Sequence, residues 1–159
     1  VSIALEHKGH IVAGVVFDPA KDEMFFAEKG QGSYMNDTRL RVSGRYKMIE
    51  GLFSTGMPFG GRSDLPETLK ELGRLLPVCS GVRRFGAAAL DLAYVAAGRY
   101  DGFWERNLNA WDIAAGVIIV KEAGGLVEPV TQGHNIIEDG EVICANDAMF
   151  SQLAKIVRA

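Results

Sequence analysis

Asp101-Gly102-Phe103-Trp104-Glu105 and, after a short loop, Ala110-Trp111-Asp112-Ile113-Ala114-Ala115-Gly116 are the stretch from which the rest of the chain can be read. A strand spanning Tyr100 to Glu105 ends in a carboxylate. A helix spanning Ala110 to Ala123 then opens with a second carboxylate in its first turn. That order places Glu105 and Asp112 at one end of a sheet, where open α/β folds keep their ligand sites. From Trp111 to Ala123 the helix is apolar on nearly every face, which predicts burial. An acid at its start has two readings. Asn109 suits the N-cap and Asp112 the third helical position of a capping box, although Glu or Gln is more usual there, and the charge complements the helix dipole. Alternatively, Asp112 is a ligand for a hard cation such as Mg²⁺, which takes few protein carboxylates and keeps water and phosphate as other partners. Both can hold, because a carboxylate has two oxygens.

Upstream, Val1 to Leu5 and His10 to Phe17 read as strands joined by a turn at Lys8-Gly9. Asp18 to Asp22 is a turn, Glu23 to Glu28 a third strand, and short strands follow near Ser33 to Asn36 and Thr38 to Val42. This is an antiparallel meander. From Gly51 the pattern changes to alternating strand and helix. Strands are predicted at Gly51 to Thr55 and Val82 to Phe85, then at Leu126 to Glu128 and Val142 to Ala145. Helices are predicted at Asp64 to Leu76, capped by Ser63 or Asp64, at Ala87 to Ala97, and at Asp147 to Val157, capped by Asn146 or Asp147. Gly124-Gly125 ends the Ala110 to Ala123 helix with left-handed geometry. The fold class is therefore α/β, a layered sandwich in which a β meander precedes an α/β half. The division falls between residues 1–45, the remainder of an N-terminal domain, and residues 46–159, a C-terminal α/β domain.

The 159 residues suffice for an ordinary core, with 48% apolar and 23% charged residues and a net charge of −3. No basic stripe points to nucleic acid, and no run approaches a membrane span. No charged segment leading into an apolar one opens the chain, so no signal peptide is expected. Cys79 and Cys144 fit no metal or redox spacing and read as reduced thiols of a cytoplasmic protein. His7 and His10 flank a hairpin turn rather than a zinc site. His134, in the polar loop Thr131 to Asn135, carries no special reading.

Trp111-Asp112-Ile113-Ala114-Ala115-Gly116, continuing to Glu122-Ala123-Gly124-Gly125, resembles the second signature of the inositol monophosphatase family, W-D-x-A-A-G followed by a helix and E-A-G-G. Arg83-Arg84-Phe85-Gly86-Ala87-Ala88-Ala89-Leu90-Asp91-Leu92-Ala93 reads very much like bacterial members. So do Val1-Ser2-Ile3-Ala4-Leu5 and Gly30-Gln31-Gly32-Ser33-Tyr34-Met35-Asn36, in family order. The family's first signature, D-P-x-D-G-T, is absent: Asp18-Pro19-Ala20-Lys21-Asp22 starts alike but reads as a turn. The chain thus resembles the C-terminal part of such an enzyme.

The resemblance implies a lithium-sensitive phosphatase in which Mg²⁺ activates a water for in-line attack on a phosphomonoester, inositol monophosphate or a similar small phosphorylated substrate. It implies a layered α/β/α/β/α fold, a homodimer, and backbone contacts from Gly86, Ala87 and Ala88 to substrate hydroxyls. Read from the residues alone, Gly86 could equally serve tight packing, and Glu105 could be a solvated strand end. The family match makes Glu105 a hydroxyl acceptor and Asp112 a metal ligand and part of the substrate site. Ala87 stands where Ser or Thr is usual, which weakens a side-chain hydroxyl contact but not an amide contact. Arg83 and Arg84 are left outside the site. No residue present reads as a nucleophile or base, and without the first signature the chain by itself is expected to be inactive. The alternatives are another small sugar or nucleotide phosphatase of the same superfamily, or a non-catalytic interaction or dimerisation module.

Overall fold

The meander forms as its alternation dictates. In the computed structural model, which describes residues 1–58 and 65–159, strands β1 (Ser2–His7), β2 (His10–Asp18), β3 (Glu23–Glu28), β4 (Gly32–Met35) and β5 (Thr38–Arg39) make one antiparallel sheet in chain order. His7 pairs with His10 across a two-residue loop in which Lys8 and Gly9 both have positive φ, 50° and 75°, as a tight hairpin of matching twist needs. Register sorts the faces. Val16 pairs with Phe25, and both are buried, with Ala27, on one side. On the other side Ile3, Val15, Phe26 and Tyr34 stand opposite one another across four strands, with Ile3 62% exposed.

The α/β half supplies a second sheet of β6 (Leu52–Thr55), β7 (Gly81–Arg83), β8 (Gly102–Glu105), β9 (Leu126–Glu128) and β10 (Val142–Ala145), in the order β7-β6-β8-β10-β9. β6 is parallel to both its neighbours, and the β10 pairings are antiparallel, so the sheet is mixed. Helices α2 (Ala88–Ala96) and α3 (Ala110–Glu122) lie between the two sheets. Helices α1 (Leu65–Leu75) and α5 (Asp147–Val157) cover the far face of the second sheet. The layers are therefore sheet, helices, sheet, helices, an α/β layered fold.

Close approach holds the middle layer. A Cβ at Gly14 of β2 would come within 2.8 Å of Ala115 Cα and O, and one at Gly116 would meet Leu92 of α2. Ile113 to Val120 are all buried, as the sequence predicts. Trp111 is not: it is 70% exposed, because the first turn projects past the sheets. The Val82 to Phe85 strand also ends early, at Arg83, and Phe85 turns its ring onto Tyr94 (centroids 5.3 Å apart). β5 stops at Arg39 rather than Val42, since the chain there leaves the sheet to cross to the second half.

That crossing is tied down by one buried carboxylate. Asp101, 0% exposed, accepts hydrogen bonds from Ser43 Oγ, Arg45 Nη1 and the Leu52 amide (2.8 Å for the last). Asn146 Nδ2 donates to Ser43 Oγ and to the Arg45 carbonyl, both at 2.9 Å, while its Oδ1 caps α5 by accepting from the Met149 amide. The expected cap of α1 at Ser63 or Asp64 lies outside the described residues. A short helix at Ile136–Asp139 (α4), between α3 and α5, follows the polar loop Thr131 to Asn135 where the sequence pattern assigns no element; Asn135 Oδ1 caps it.

Gly14→Ala should destabilise the fold by about 1–3 kcal/mol, since the obstruction is backbone that cannot step aside. Gly73→Ala in α1, where a Cβ meets nothing within 4 Å, should leave stability equal or raise it. Thermal denaturation of the two variants side by side checks this.

Candidate active site

Strand-to-helix junctions gather at one end of the second sheet. β7 runs into α2 through Arg84–Ala87, and β8 into α3 through Arg106–Asn109. Between them lies a concavity of about 240 Å³ lined by Gly86, Ala87, Ala88, Glu105 and Asp112. All five residues singled out in the sequence thus share one surface. Gly86 has φ +88°, a conformation that other residues adopt at a cost, and Ala87 is the N-cap of α2 in extended conformation. The first amides of α2 have no carbonyl partner in a preceding turn, and the Ala87 amide before them is taken by the Asp91 carboxyl, so the contact expected from Ala87 falls to the amides that follow it.

Asp112 is a cap, and only half of it is used. Its Oδ2 accepts from the Asn109 amide (2.9 Å) and from Asn109 Nδ2 (3.3 Å). Oδ1 has no hydrogen-bond partner among the described residues and is available to the concavity. The chemistry of the donors sets what the site could hold. A hard cation wants several oxygens, yet among the described residues no cluster of three or more His, Cys, Asp or Glu could bind a metal. Asp112 Oδ1 fits one ligand position of such an ion, and the described residues do not complete its shell.

Glu105 is held by its neighbours in sequence and in space. Trp104, 1% exposed, donates from Nε1 to Glu71 Oε2 (2.9 Å), and Arg106 pairs with Glu71 Oε1. Thr55 Oγ1 donates to the Trp104 carbonyl (2.7 Å). Gly56 and Met57, which follow β6, complete the wall beside Glu105.

Three features lay beyond sequence reasoning. Arg84, set aside with Arg83, lines the concavity, its guanidinium folded against Gly86. Its direction depends on the chain leaving β7 two residues early, which no pattern signals. Asp91, in the first turn of α2, is 1% exposed. Burial pushes its carboxyl up to about 7, while the Ser54 hydroxyl, the Ala87 amide and the Arg84 charge offset this in part. Its Oδ1 has no hydrogen-bond partner among the described residues, which favours the neutral acid. The signal was present, an acid in an otherwise apolar helix turn, but helix-start acids are usually exposed caps. His134, read as unremarkable, places Nδ1 3.0 Å from the nearly buried Glu141, well away from the concavity.

A family model described as the inositol monophosphatase family matches residues 1–159. The chain belongs to the inositol monophosphatase family. It is 51% identical over 158 residues to the inositol-1-monophosphatase of Mesorhizobium japonicum, covering 99% of this chain and 59% of that protein. It is 45% identical over 160 residues to a protein named Nus factor SuhB from Pseudomonas aeruginosa, again covering 99% and 59%. The solved structure of the extragenic suppressor protein suhB of Bartonella henselae superposes with a TM-score of 0.94 at 47% identity, over 99% of this chain and 61% of that one. The chain therefore spans about three fifths of the length of the relatives it matches. Among the described residues no helix is long and apolar enough to cross a membrane.

Asp91 ties stability to pH. In the unfolded chain its carboxyl ionises near 3.8, and in the fold near 7, so between those values the folded state binds the extra proton. Its contribution is therefore full at low pH and is lost as pH rises through that window, by at most about 1.4 kcal/mol per unit. Asp91→Asn should remove this dependence and raise the melting temperature at pH 8, read from thermal melts between pH 4 and pH 8.

Proposed function

We propose that the full-length protein hydrolyses inositol monophosphate or a closely similar small phosphomonoester with Mg²⁺, and that this chain is the portion that recognises the substrate's hydroxyls. The observation that carries the reading is the single concavity in which a helix-opening loop, Gly86 to Ala88, and two carboxylates, Glu105 and Asp112, meet. A polyol presents donors and acceptors at fixed spacing. The α2 amides donate to one hydroxyl, and Glu105 accepts from another. Arg84 adds positive charge on the same wall, suited to a phosphorylated ligand. Asp112 uses Oδ2 to hold the helix start and offers Oδ1 as one ligand to Mg²⁺. When bound, the ion would supply charge neutralisation and a more acidic water. The remaining ligands belong to the family's first signature, so the 159-residue chain alone is inactive.

In this reading residues 1–45 are the remainder of an N-terminal domain and 46–159 the C-terminal one. The protein is cytoplasmic, lithium-sensitive and homodimeric, and does not act through nucleic acid. A second reading, an interaction module without catalysis, draws on the Pseudomonas relative, whose name is that of a Nus factor. Turnover separates the two. The purified chain should show no measurable phosphatase activity, whereas the full-length protein should hydrolyse inositol monophosphate with Mg²⁺ and be inhibited by Li⁺. A chain that turns over at the full-length rate would mean the metal ligands have been misassigned.

Asp112→Asn divides the two roles of that residue. Asparagine keeps an oxygen for the Asn109 amide, so the helix start and the melting temperature should be retained. It loses the charge that a hard cation favours. Activity of the full-length variant at saturating Mg²⁺ should fall by orders of magnitude. Near-normal turnover would leave Asp112 as a cap only.

A further inference from the structure

Glu105 stands on a seat made by residues far from it in sequence. Gly56 follows β6, and a Cβ built on it would overlap the Glu105 carboxylate, reaching both oxygens and Cδ. The φ of Gly56 is ordinary, so the position does not demand glycine for its backbone. What it requires is the absence of a side chain. Any larger residue would occupy the space in which the carboxylate now lies. From the other direction, Glu71 of α1, 1% exposed, accepts from Trp104 Nε1 and pairs with Arg106. It thereby grips the residues on either side of Glu105. Behind them is a crevice with room for about 10 Å³, walled by Thr55, Thr68 and Glu71 as well as Glu105 and Arg106. A space that small offers the carboxylate little freedom to retreat.

A buried glutamate is costly unless paired and hydrogen-bonded. Here its oxygens are divided between an indole and a guanidinium, and neither partner is itself a candidate to touch substrate. The two features, a missing side chain on one flank and a buried anion gripping the other, act on the same atoms. We infer that Gly56 and Glu71 are positioning residues for the Glu105 carboxylate and so set selectivity for polyol phosphates over phosphomonoesters without ring hydroxyls. The inference rests on the reading of Glu105 as a hydroxyl acceptor. Its geometrical content, that these residues fix where the carboxylate stands, can be tested without it.

Gly56→Ala is the sharper test. The obstructing atoms belong to the far end of a flexible side chain, so the variant can fold by swinging Glu105 out into the concavity rather than back into the crevice. In the full-length protein its melting temperature should match wild type. KM for inositol monophosphate should rise about ten- to a hundredfold, the worth of a hydrogen bond to a charged group. Turnover of p-nitrophenyl phosphate should not change. Glu71→Gln, which keeps an oxygen for Trp104 and weakens the Arg106 pair, should move KM the same way by less. In a Glu105→Ala background Gly56→Ala should add nothing, because the group it displaces has gone. Equal losses on both substrates, or penalties from Gly56→Ala and Glu105→Ala that multiply, would overturn the inference. So would a Gly56→Ala variant with unchanged KM where Glu105→Ala raises it. If Glu105→Ala itself leaves KM unchanged, the acceptor reading fails instead. The ¹³C resonance of the Glu105 carboxylate then still decides the positioning: it should shift in Gly56→Ala and Glu71→Gln, and an unshifted resonance in both would refute it.

Discussion

One helix serves two sheets, and most of the molecule follows from that constraint. α3 has no solvent face over Ile113 to Val120. It touches β1 to β4 on one side and packs along α2 on the other. A helix so enclosed can meet water only at its ends. Its N-terminal end coincides with the end of β8, because the connecting loop is short. Asp112 is consequently the first polar group that the buried helix offers, and Glu105 the last that the strand offers. Their meeting in one concavity follows from burying α3 beside β8. The small residues on the two contacting surfaces, Gly14 and Gly116, are what let the layers close to that distance.

The second sheet has to be held in register with the first for this to work, and the Asp101 knot does so. Asp101 lies at the start of β8, at the opposite end from Glu105. It ties the crossing segment at Ser43 and Arg45 to the Leu52 amide at the start of β6, while Asn146 joins the same segment to the start of α5. A buried carboxylate of this kind is weak evidence for added stability. What it specifies is geometry, because its acceptor sites are filled by groups from separate elements. Glu71 repeats the device at the other end of the strand. β8 is thus clamped at both ends by a buried acid, with four residues between them carrying Glu105 into the concavity.

Legibility in the sequence followed the range of the interactions. The meander strands were readable because alternation is local: Val16 and Phe25 point inward, Val15 and Phe26 outward. α3 was readable because thirteen residues that are apolar apart from Asp112, Lys121 and Glu122 leave few alternatives. The pairing of Glu105 with Asp112 was readable because each lies at an element boundary. What could not be read was any direction set across long separations. Arg84 enters the concavity only because Phe85 turns away onto Tyr94 and Lys21. Gly56 meets a carboxylate almost fifty positions away, and a lone glycine after a strand looks like a turn. α4 has four residues, too few for a helical period to show. Trp111 was read as core because its neighbours are apolar, although a first-turn residue lies beyond the sheets whatever its hydropathy.

The open face of the first sheet bears on how such a chain reaches a complete site. Ile3, Val15, Phe26 and Tyr34 form an apolar row with no layer over it among the described residues, and Leu5, 60% exposed, extends it. Rows of this extent on a two-sided sheet mark a surface meant to be covered. In the proposed reading the concavity is unfinished in the same sense: Asp112 would offer one oxygen where a hard cation needs several. Both gaps are of the kind that further chain packed on this sheet would close, and the match leaves about two fifths of the length of a family relative uncovered. In the proposed reading hydroxyl recognition would lie wholly on this chain, while metal binding would be shared between Asp112 and the further chain. Substrate would be positioned by a rigid, deeply buried frame, with Glu105 seated on Gly56 and braced by Glu71. The catalytic ions would be held by segments that dock onto that frame. In that reading the recognising wall keeps its geometry whether or not metal is present, because Gly56 and Glu71 are not spent on the ion and Asp112 holds the helix start through its other oxygen.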